Sequence, residues 1–328
     1  MTEKLLKVID KTRSWKLIVH NNPDPDAIAS AYGFSYLLSK FGKRGVIYYG
    51  GIVGRAENKE MLKRIGIQLR PLESLKLNNS MNIAMFDCQP GAGNQPLPRN
   101  IIPKVVIDHH KLRHDSKKAL FCDVREGIGS SSSIVASYIK ALNLELPPKT
   151  ATALYYGLKT DTFDFTRDFT KTDLNILNFI IEKVSMKLIG KIENPPLSRE
   201  YFKKLCKGLE QANIFEQALI ADLEKVSYPD LCAEIAELSI RMRDIKWSIV
   251  FSFFKNQLYF SIRTKSTQKI AGKIAVAIVK NLGSGGGHEN SAGGSVKVDN
   301  PNDYAEVKEI LVNRFLKRLK IKNSSFSS

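Results

Sequence analysis

Four short groups of aspartates and histidines carry the chemistry of this chain. The first is His20-Asn-Asn-Pro-Asp24-Pro-Asp26, behind the apolar run Leu17-Ile-Val19. Two prolines stiffen it, and carboxylates packed side by side repel each other unless a cation lies between them. Asp26 precedes Ala27 and equally suits a helix cap. The second is Asp87, behind Asn82-Ile-Ala-Met-Phe86, a place where a lone aspartate is more often a turn residue. The third is Asp108-His109-His110, behind Val105-Val-Ile107; adjacent histidines there neither pack well nor cap. The fourth is Asp161, at the end of a predicted helix, where its charge opposes the helix dipole. Such a local conflict is a mark of function.

Together these positions suit two divalent ions. Hard carboxylates with imidazoles favour manganese or magnesium over a thiolate-bound metal. One carboxylate must bridge the ions to hold them roughly 3.5–4 Å apart, a pair that acidifies a bound water and clamps a phosphoryl centre. Cys88, Cys122, Cys206 and Cys232 have no C-x-x-C spacing, which disfavours structural zinc. They read as reduced thiols of a cytoplasmic protein.

The elements that must position these residues alternate. Gly45–Tyr49 and Lys104–Ile107 read as strands, and Ala27–Leu38, Ala56–Ile65, Ser131–Leu142, Thr150–Leu158 and Leu174–Leu188 as helices. Alternation of this kind implies a parallel sheet with crossover helices, and ligands bind at the carboxyl ends of such strands. After the break at Asn194-Pro-Pro-Leu-Ser198, Ser198 can cap a helix over Tyr201–Ile214. Then Ala218–Leu223, Trp247–Phe254 and Gln257–Arg263 read as strands, with a hairpin turn at Lys255-Asn-Gln257, and Asp230–Met242 and Ile270–Asn281 as helices. The expected division is residues 1–190 as a metal-binding domain, 191–215 as a helical linker, 216–320 as a substrate-binding domain and 321–328 as a disordered tail.

With 328 residues, 43% hydrophobic and 25% charged, the chain suits two domains rather than one core. No run of about eighteen apolar residues suggests a membrane span. The first sixteen residues lack the apolar core of a secretory signal. A net charge of +17 favours anionic partners, although a lysine-rich proteome explains it equally well. The basic end from Asn313 to Lys322 reads as a surface helix. Ser130–Ser133 open a helix with more hydroxyls than one cap needs, so Ser131 and Ser132 are candidate phosphate contacts. Gly285, Gly286 and Gly287 lie in a stretch glycine-rich enough for close backbone approach and an anion nest. It is neither a Walker loop nor a dinucleotide fingerprint.

The Asp108-His109-His110 triplet, with His20-x-x-x-Asp24-x-Asp26 and Asp87 before it and Asp161 after it, resembles the DHH phosphoesterase superfamily. Gly285-Gly-Gly-His288-Glu-Asn-Ser-Ala-Gly293 resembles the Gly-Gly-Gly-His signature of the family's associated second domain, and Ser261-Ile-Arg263-Thr264 its arginine-bearing strand. The motifs follow the family order from residue 17 to about 298. The nearest branch resembles the nanoRNase/pAp phosphatases and cyclic-dinucleotide phosphodiesterases rather than the pyrophosphatases, whose second domain differs. The resemblance implies one manganese on His20 and Asp24, another on Asp26, His109 and Asp161, and Asp87 bridging. It places His110 near the scissile phosphate, with Asp108 orienting the histidine pair. Pro25 and Ala29 stand where glycine is frequent in the family, and so does Phe163, which could narrow the pocket.

The expected fold is thus α/β, a parallel-sheet DHH domain plus a smaller mixed-sheet domain, with the active site in the cleft between them. The expected function is manganese-dependent hydrolysis of short RNA or DNA oligonucleotides or small nucleotides by water activated at two ions, magnesium being an alternative metal. Arg263 and His288 would hold the substrate's far end. Cyclic dinucleotides are an alternative substrate. A RecJ-like single-strand exonuclease is a weaker alternative, because the chain ends soon after the second domain and leaves no room for an OB-type module. A non-catalytic nucleotide or RNA binder is the third, weakened because a binder has no need of six metal ligands. A homodimer is compatible with any of these.

Overall fold

The computed structural model describes residues 1–268, 270–287 and 289–321. His288 and the tail from residue 322 therefore lie outside the described residues. The chain divides into two compact units, one ending at Pro195 and one starting at Pro196. No described helix is long and apolar enough to cross a membrane.

The first unit is built on six strands: β1 (Ser14–Asn21), β2 (Arg44–Gly50), β3 (Leu69–Pro71), β4 (Ile83–Phe86), β5 (Val105–Asp108) and β6 (Phe121–Val124). All pair in parallel, in the order β3-β2-β1-β4-β5-β6. That order reverses direction between β1 and β4, and a sheet of this kind opens a crevice at its reversal, outside the carboxyl ends of the strands. His20 sits at the end of β1, Asp87 just past β4 and Asp108 at the end of β5.

Alternation along each strand sorts the two faces. Leu17, Val19, Ala84, Phe86, Val105 and Ile107 face the helical side. There they meet α1 (Thr2–Ile9), α2 (Pro25–Lys40), α3 (Ala56–Ile65), α4 (Ser131–Ala141), α5 (Pro148–Asp161), α6 (Lys171–Ile180) and α7 (Met186–Glu193). Ile18, Ile83, Met85 and Val106 face the other way, onto Leu72, Leu97 and Ile101. Helical crossovers therefore join only β1 to β2 and β2 to β3. The β4–β5 connection carries Pro90, Gly91, Gly93, Pro96, Pro98 and Pro103, which suppress a helix. The single helix expected over Leu174–Leu188 is two: Ser185 starts α7 by accepting from Leu188 N at 3.4 Å, and its own N–H goes to Thr152 Oγ1.

The second unit holds α8 (Arg199–Glu210), β7 (Asn213–Phe215), β8 (Ala218–Lys225), α9 (Leu231–Ser239), β9 (Trp247–Phe254), β10 (Gln257–Thr264), α10 (Ala271–Ile278), β11 (Gly283–Gly287), β12 (Ser291–Lys297) and α11 (Tyr304–Leu319). Its sheet runs β11-β12-β10-β9-β8-β7 and is antiparallel except for β8–β9. The helix expected to run to Ile214 stops at Glu210, and Asn213–Phe215 joins the sheet edge instead. Both faces are covered, by Ile274, Leu311 and Phe315 on one side and by Ile235, Tyr201 and Leu205 on the other. That is why Trp247–Phe254 reads as a near-continuous apolar run. Lys255 and Asn256, with φ of 44° and 59°, make the tight turn between β9 and β10.

One buried carboxylate ties the last helices to the segment ahead of α4. Asp173 accepts from Gly129 N at 2.9 Å and from Thr170 N and Oγ1 at 3.0 and 2.6 Å. Asp173→Ala strands these donors, so stability should fall by roughly 2–4 kcal/mol in urea unfolding. A loss below about 0.5 kcal/mol, the size of a neutral surface change, would contradict this linkage.

Candidate metal centre

Every ligand candidate from the first three groups sits at a strand end, in the turn after it or in the first turn of the following helix. Asp24, rather than Asp26, caps α2, with Oδ1 accepting from Ala27 N at 3.0 Å and Pro25 taking the first helical position. Its other oxygen lies 3.6 Å from His20 Nε2. Asp26 is buried in the first turn, and the N-terminus of α4 holds its carboxylate through Ser131 N at 2.7 Å and Ser132 N at 2.8 Å. A helix N-terminus is a natural place for a negative charge. Asp87 has φ of 54°, a strained conformation for a non-glycine residue that costs about 1–3 kcal/mol. It puts the carboxylate between two histidines: Oδ2 is 3.5 Å from His20 Nε2, and Oδ1 is 3.4 Å from His109 Nε2. Asp161 ends α5, its Oδ2 3.1 Å from His109 Nε2.

The histidine rings are pinned from behind. His20 Nδ1 lies 2.9 Å from Asn21 O, and His109 Nδ1 3.2 Å from Ile128 O. A carbonyl only accepts, so Nδ1 carries the proton and Nε2 turns a lone pair toward the carboxylates. His109 Nε2 is buried without a hydrogen-bond partner. A lone pair facing carboxylate oxygens needs a proton or a cation between them. Donor atoms of His20, Asp24 and Asp87 lie within 4.8 Å of one another, as do those of Asp26, His109 and Asp161. Oxygen and imidazole donors so placed fit hard divalent ions.

Asp108 orients His110 rather than both rings. Its Oδ1 lies 2.8 Å from His110 Nδ1 and accepts from His109 N at 2.8 Å, while the His109 ring is held by Ile128. Oδ2 accepts from Gln89 Nε2 at 2.6 Å. Gln89 is buried and also donates to Lys111 O and accepts from Arg113 N and Ser116 Oγ, fixing the turn after His110. Nothing in the sequence signalled Gln89, since a glutamine three residues past a strand carries no pattern.

The serine-rich start of α4 does not offer its backbone to a substrate phosphate. Ser130–Ser133 are buried, Asp26 occupies the N–H groups of Ser131 and Ser132, and Ser131 Oγ donates to Asp87 at 3.1 Å. Ser131 and Ser132 hold carboxylates of the cluster. The glycine-rich stretch is an edge strand, not a loop. Gly285 pairs with Gly294 and Gly286 with Gly293. A Cβ on Gly285 would meet Ala275 O at 2.8 Å, whereas Gly286 is open. Beside it a cavity of about 550 Å³ is lined by Ile270, Gly272, Lys273, Val276, Gly286, Gly287 and Glu289. Arg263, on β10, donates to Glu237 Oε1 and Ser261 Oγ, both at 2.7 Å.

The cluster holds protons. Burial pushes Asp161 up to about 7, with Asp87 and Asp24 adding to it, and burial with Asp87 and Asp161 raises Asp26 well above the carboxylate range. Burial opposes charge on His20 and His109, but Asp24 and Asp87 outweigh it at His20, and Asp87 and Asp161 outweigh it at His109, so both are raised. Burial also works against Asp87, but His109 and His20 hold it well below the usual range.

An open parallel sheet with a carboxylate–histidine cluster at its reversal defines a ligand-binding α/β domain. Residues 16–158 match the DHH family, N-terminal domain, and include every donor above except Asp161. That match covers most of the first unit. The uncharacterized protein MJ1633 of Methanocaldococcus jannaschii is 32% identical over 297 residues, 89% of this chain and 60% of its own length. A Streptococcus pyogenes protein named probable manganese-dependent inorganic pyrophosphatase is 34% identical over 146 residues, 44% of this chain and 46% of its own. The chain thus spans between about half and three-fifths of these relatives. An exopolyphosphatase-related protein from Bacteroides fragilis shares the fold, with a TM-score of 0.77 at 17% identity over 97% of both chains.

Cations bound at this cluster would have to displace its protons. Asp161, His20 and His109 all have raised values, so their stabilising contribution is present at low pH and is lost as pH rises through the folded values, about 7 for Asp161. The manganese-induced gain in melting temperature should therefore grow from pH 6 to 8.5. A gain that is flat or shrinks across that window would contradict the assignment.

Proposed function

We propose that the chain hydrolyses phosphate esters of small nucleotides or short oligonucleotides with two divalent ions, manganese ahead of magnesium. The observation that carries this reading is the placement of Asp87, whose two oxygens face His20 on one side and His109 on the other. His20 and Asp24 would hold one ion, Asp26, His109 and Asp161 the second, and Asp87 both. When bound, the pair would supply an acidified water and neutralise charge on the phosphoryl oxygens.

The chain's own residues do the rest. Ser131 and Ser132 hold Asp26 in place, and Ser131 holds Asp87. His110 is half-exposed; burial opposes its charge, but its bond to Asp108 raises it to about 9. Its Nδ1 is bonded to Asp108, and the protonated ring would bring positive charge to a phosphate oxygen of the substrate. In the second unit we assign anion binding to Arg263 and to the groove at Gly286, by resemblance to the family's Gly-Gly-Gly-His domain. A phosphate there would compete with Glu237 for Arg263.

The experiment is turnover by the full chain with manganese on dinucleotides, longer oligomers, a nucleoside 3′,5′-bisphosphate, cyclic dinucleotides and inorganic pyrophosphate. Preference for the shortest nucleotides is expected, and no turnover of any would favour a binder. Asp87→Asn should lower kcat by about 10³-fold, the size of a lost electrostatic element of the transition state. Full manganese-dependent activity in that variant would overturn the two-ion reading.

A further inference from the structure

Immediately past Asp161 the backbone does something costly. Phe163, Asp164 and Phe165 have φ of 49°, 57° and 62°, three consecutive non-glycine residues in the left-handed region. Strain of this kind persists only where the surroundings enforce it. Here they do. Phe165 packs on Tyr155 and Phe169, with ring centroids 5.8 and 5.3 Å away. Asp164 is paired with Lys159 at 2.6 Å, and Lys159 also with Glu193. Asp164 N and Arg167 N close the turn onto Lys159 O and Thr162 O.

The effect is to push Phe163 outward. Its side chain is 64% exposed, two residues from a carboxylate of the centre, although its neighbour Phe165 is packed against the core. Arg167 lies over its ring, the guanidinium carbon 5.9 Å from the centroid. That guanidinium is anchored by Nη2 to Asp161 O at 3.3 Å, while Nε has no hydrogen-bond acceptor, with Asp168 at 3.7 Å. An aromatic face held in solvent by a strained turn, with a cation beside it, has the chemistry of a base-stacking platform.

We propose that Phe163 and Arg167 form a stacking subsite for the nucleobase attached to the phosphate under attack. This rests on the phosphoesterase reading and narrows its substrate class to base-bearing phosphates rather than inorganic ones. The flat ring takes any base, so the subsite selects for a base without selecting its identity. Arg167 transmits the position of the stack to Asp161 through its main-chain bond.

The test compares a dinucleotide with the same diester carrying an abasic sugar, using the manganese-loaded full chain. In Phe163→Ala the ratio of kcat/KM for the two should fall about 10- to 100-fold, the loss of one base–aromatic stack, and Phe163→Trp should restore it. Equal losses on both substrates, or an unchanged ratio, would overturn the proposal. A second readout needs no turnover. Trp15 and Trp247 are buried, so the fluorescence of Phe163→Trp reports on this position. Adenosine 5′-monophosphate should quench it and ribose 5-phosphate should not; no base-specific quenching would overturn the subsite. If the wild type hydrolyses nothing, the phosphoesterase reading fails, and quenching still decides whether a base stacks here.

Discussion

Four carboxylates, from Asp24, Asp26, Asp87 and Asp161, converge with two imidazoles on one small volume at the reversal of the sheet, and their mutual repulsion is what the surrounding structure is built to withstand. Asp26 and Asp87 are almost wholly buried, so water screens them little. Each has its own restraint. Asp26 rests on the N-terminus of α4, Asp24 caps α2, and Asp87 is held by a strained backbone and by Ser131. Without cations, protons must offset the charge, which is why Asp26, Asp161 and the histidines are all raised.

The fold explains why the restraints hold. Parallel strands end together, so the ends of β1 and β5 and the residue after β4 deliver His20, Asp108 and Asp87 to one edge. Helices α4 and α5 then bring Ser131 and Asp161 to the same edge from one face of the sheet. Gln89 braces the turn after β5 from below, through Asp108 and the backbone of Lys111 and Arg113. On the proposed two-ion reading, rigidity here is a condition of use, because the ions would have to stay at a fixed spacing while a phosphate between them changes geometry.

Much of this was legible in the chain. The apolar runs before His20, Asp87 and Asp108 located the strand ends, and the clash between Asp161 and its helix dipole singled out the last carboxylate of the cluster. The supporting residues were less legible, because their roles depend on contacts between distant segments. Ser131 and Asp26 are 105 residues apart in sequence, and Gln89 and Asp108 are 19 apart. The serines were read as phosphate contacts because hydroxyls at a helix start suit any anion, and the sequence could not say that the anion is Asp26. The glycine run was read as an anion nest for a similar reason. Its glycines answer to the backbone of Ala275 and Ala292, which only the folded sheet brings near. The β4–β5 connection, full of proline and glycine, was the place where alternation of strand and helix stopped being a guide.

A carboxylate shared between two ions has a direct spectroscopic consequence. Manganese titrated into the metal-free chain should reach two ions per chain and give the broadened electron paramagnetic resonance spectrum of an exchange-coupled pair. One ion per chain with the six-line spectrum of isolated manganese would contradict a centre bridged by Asp87.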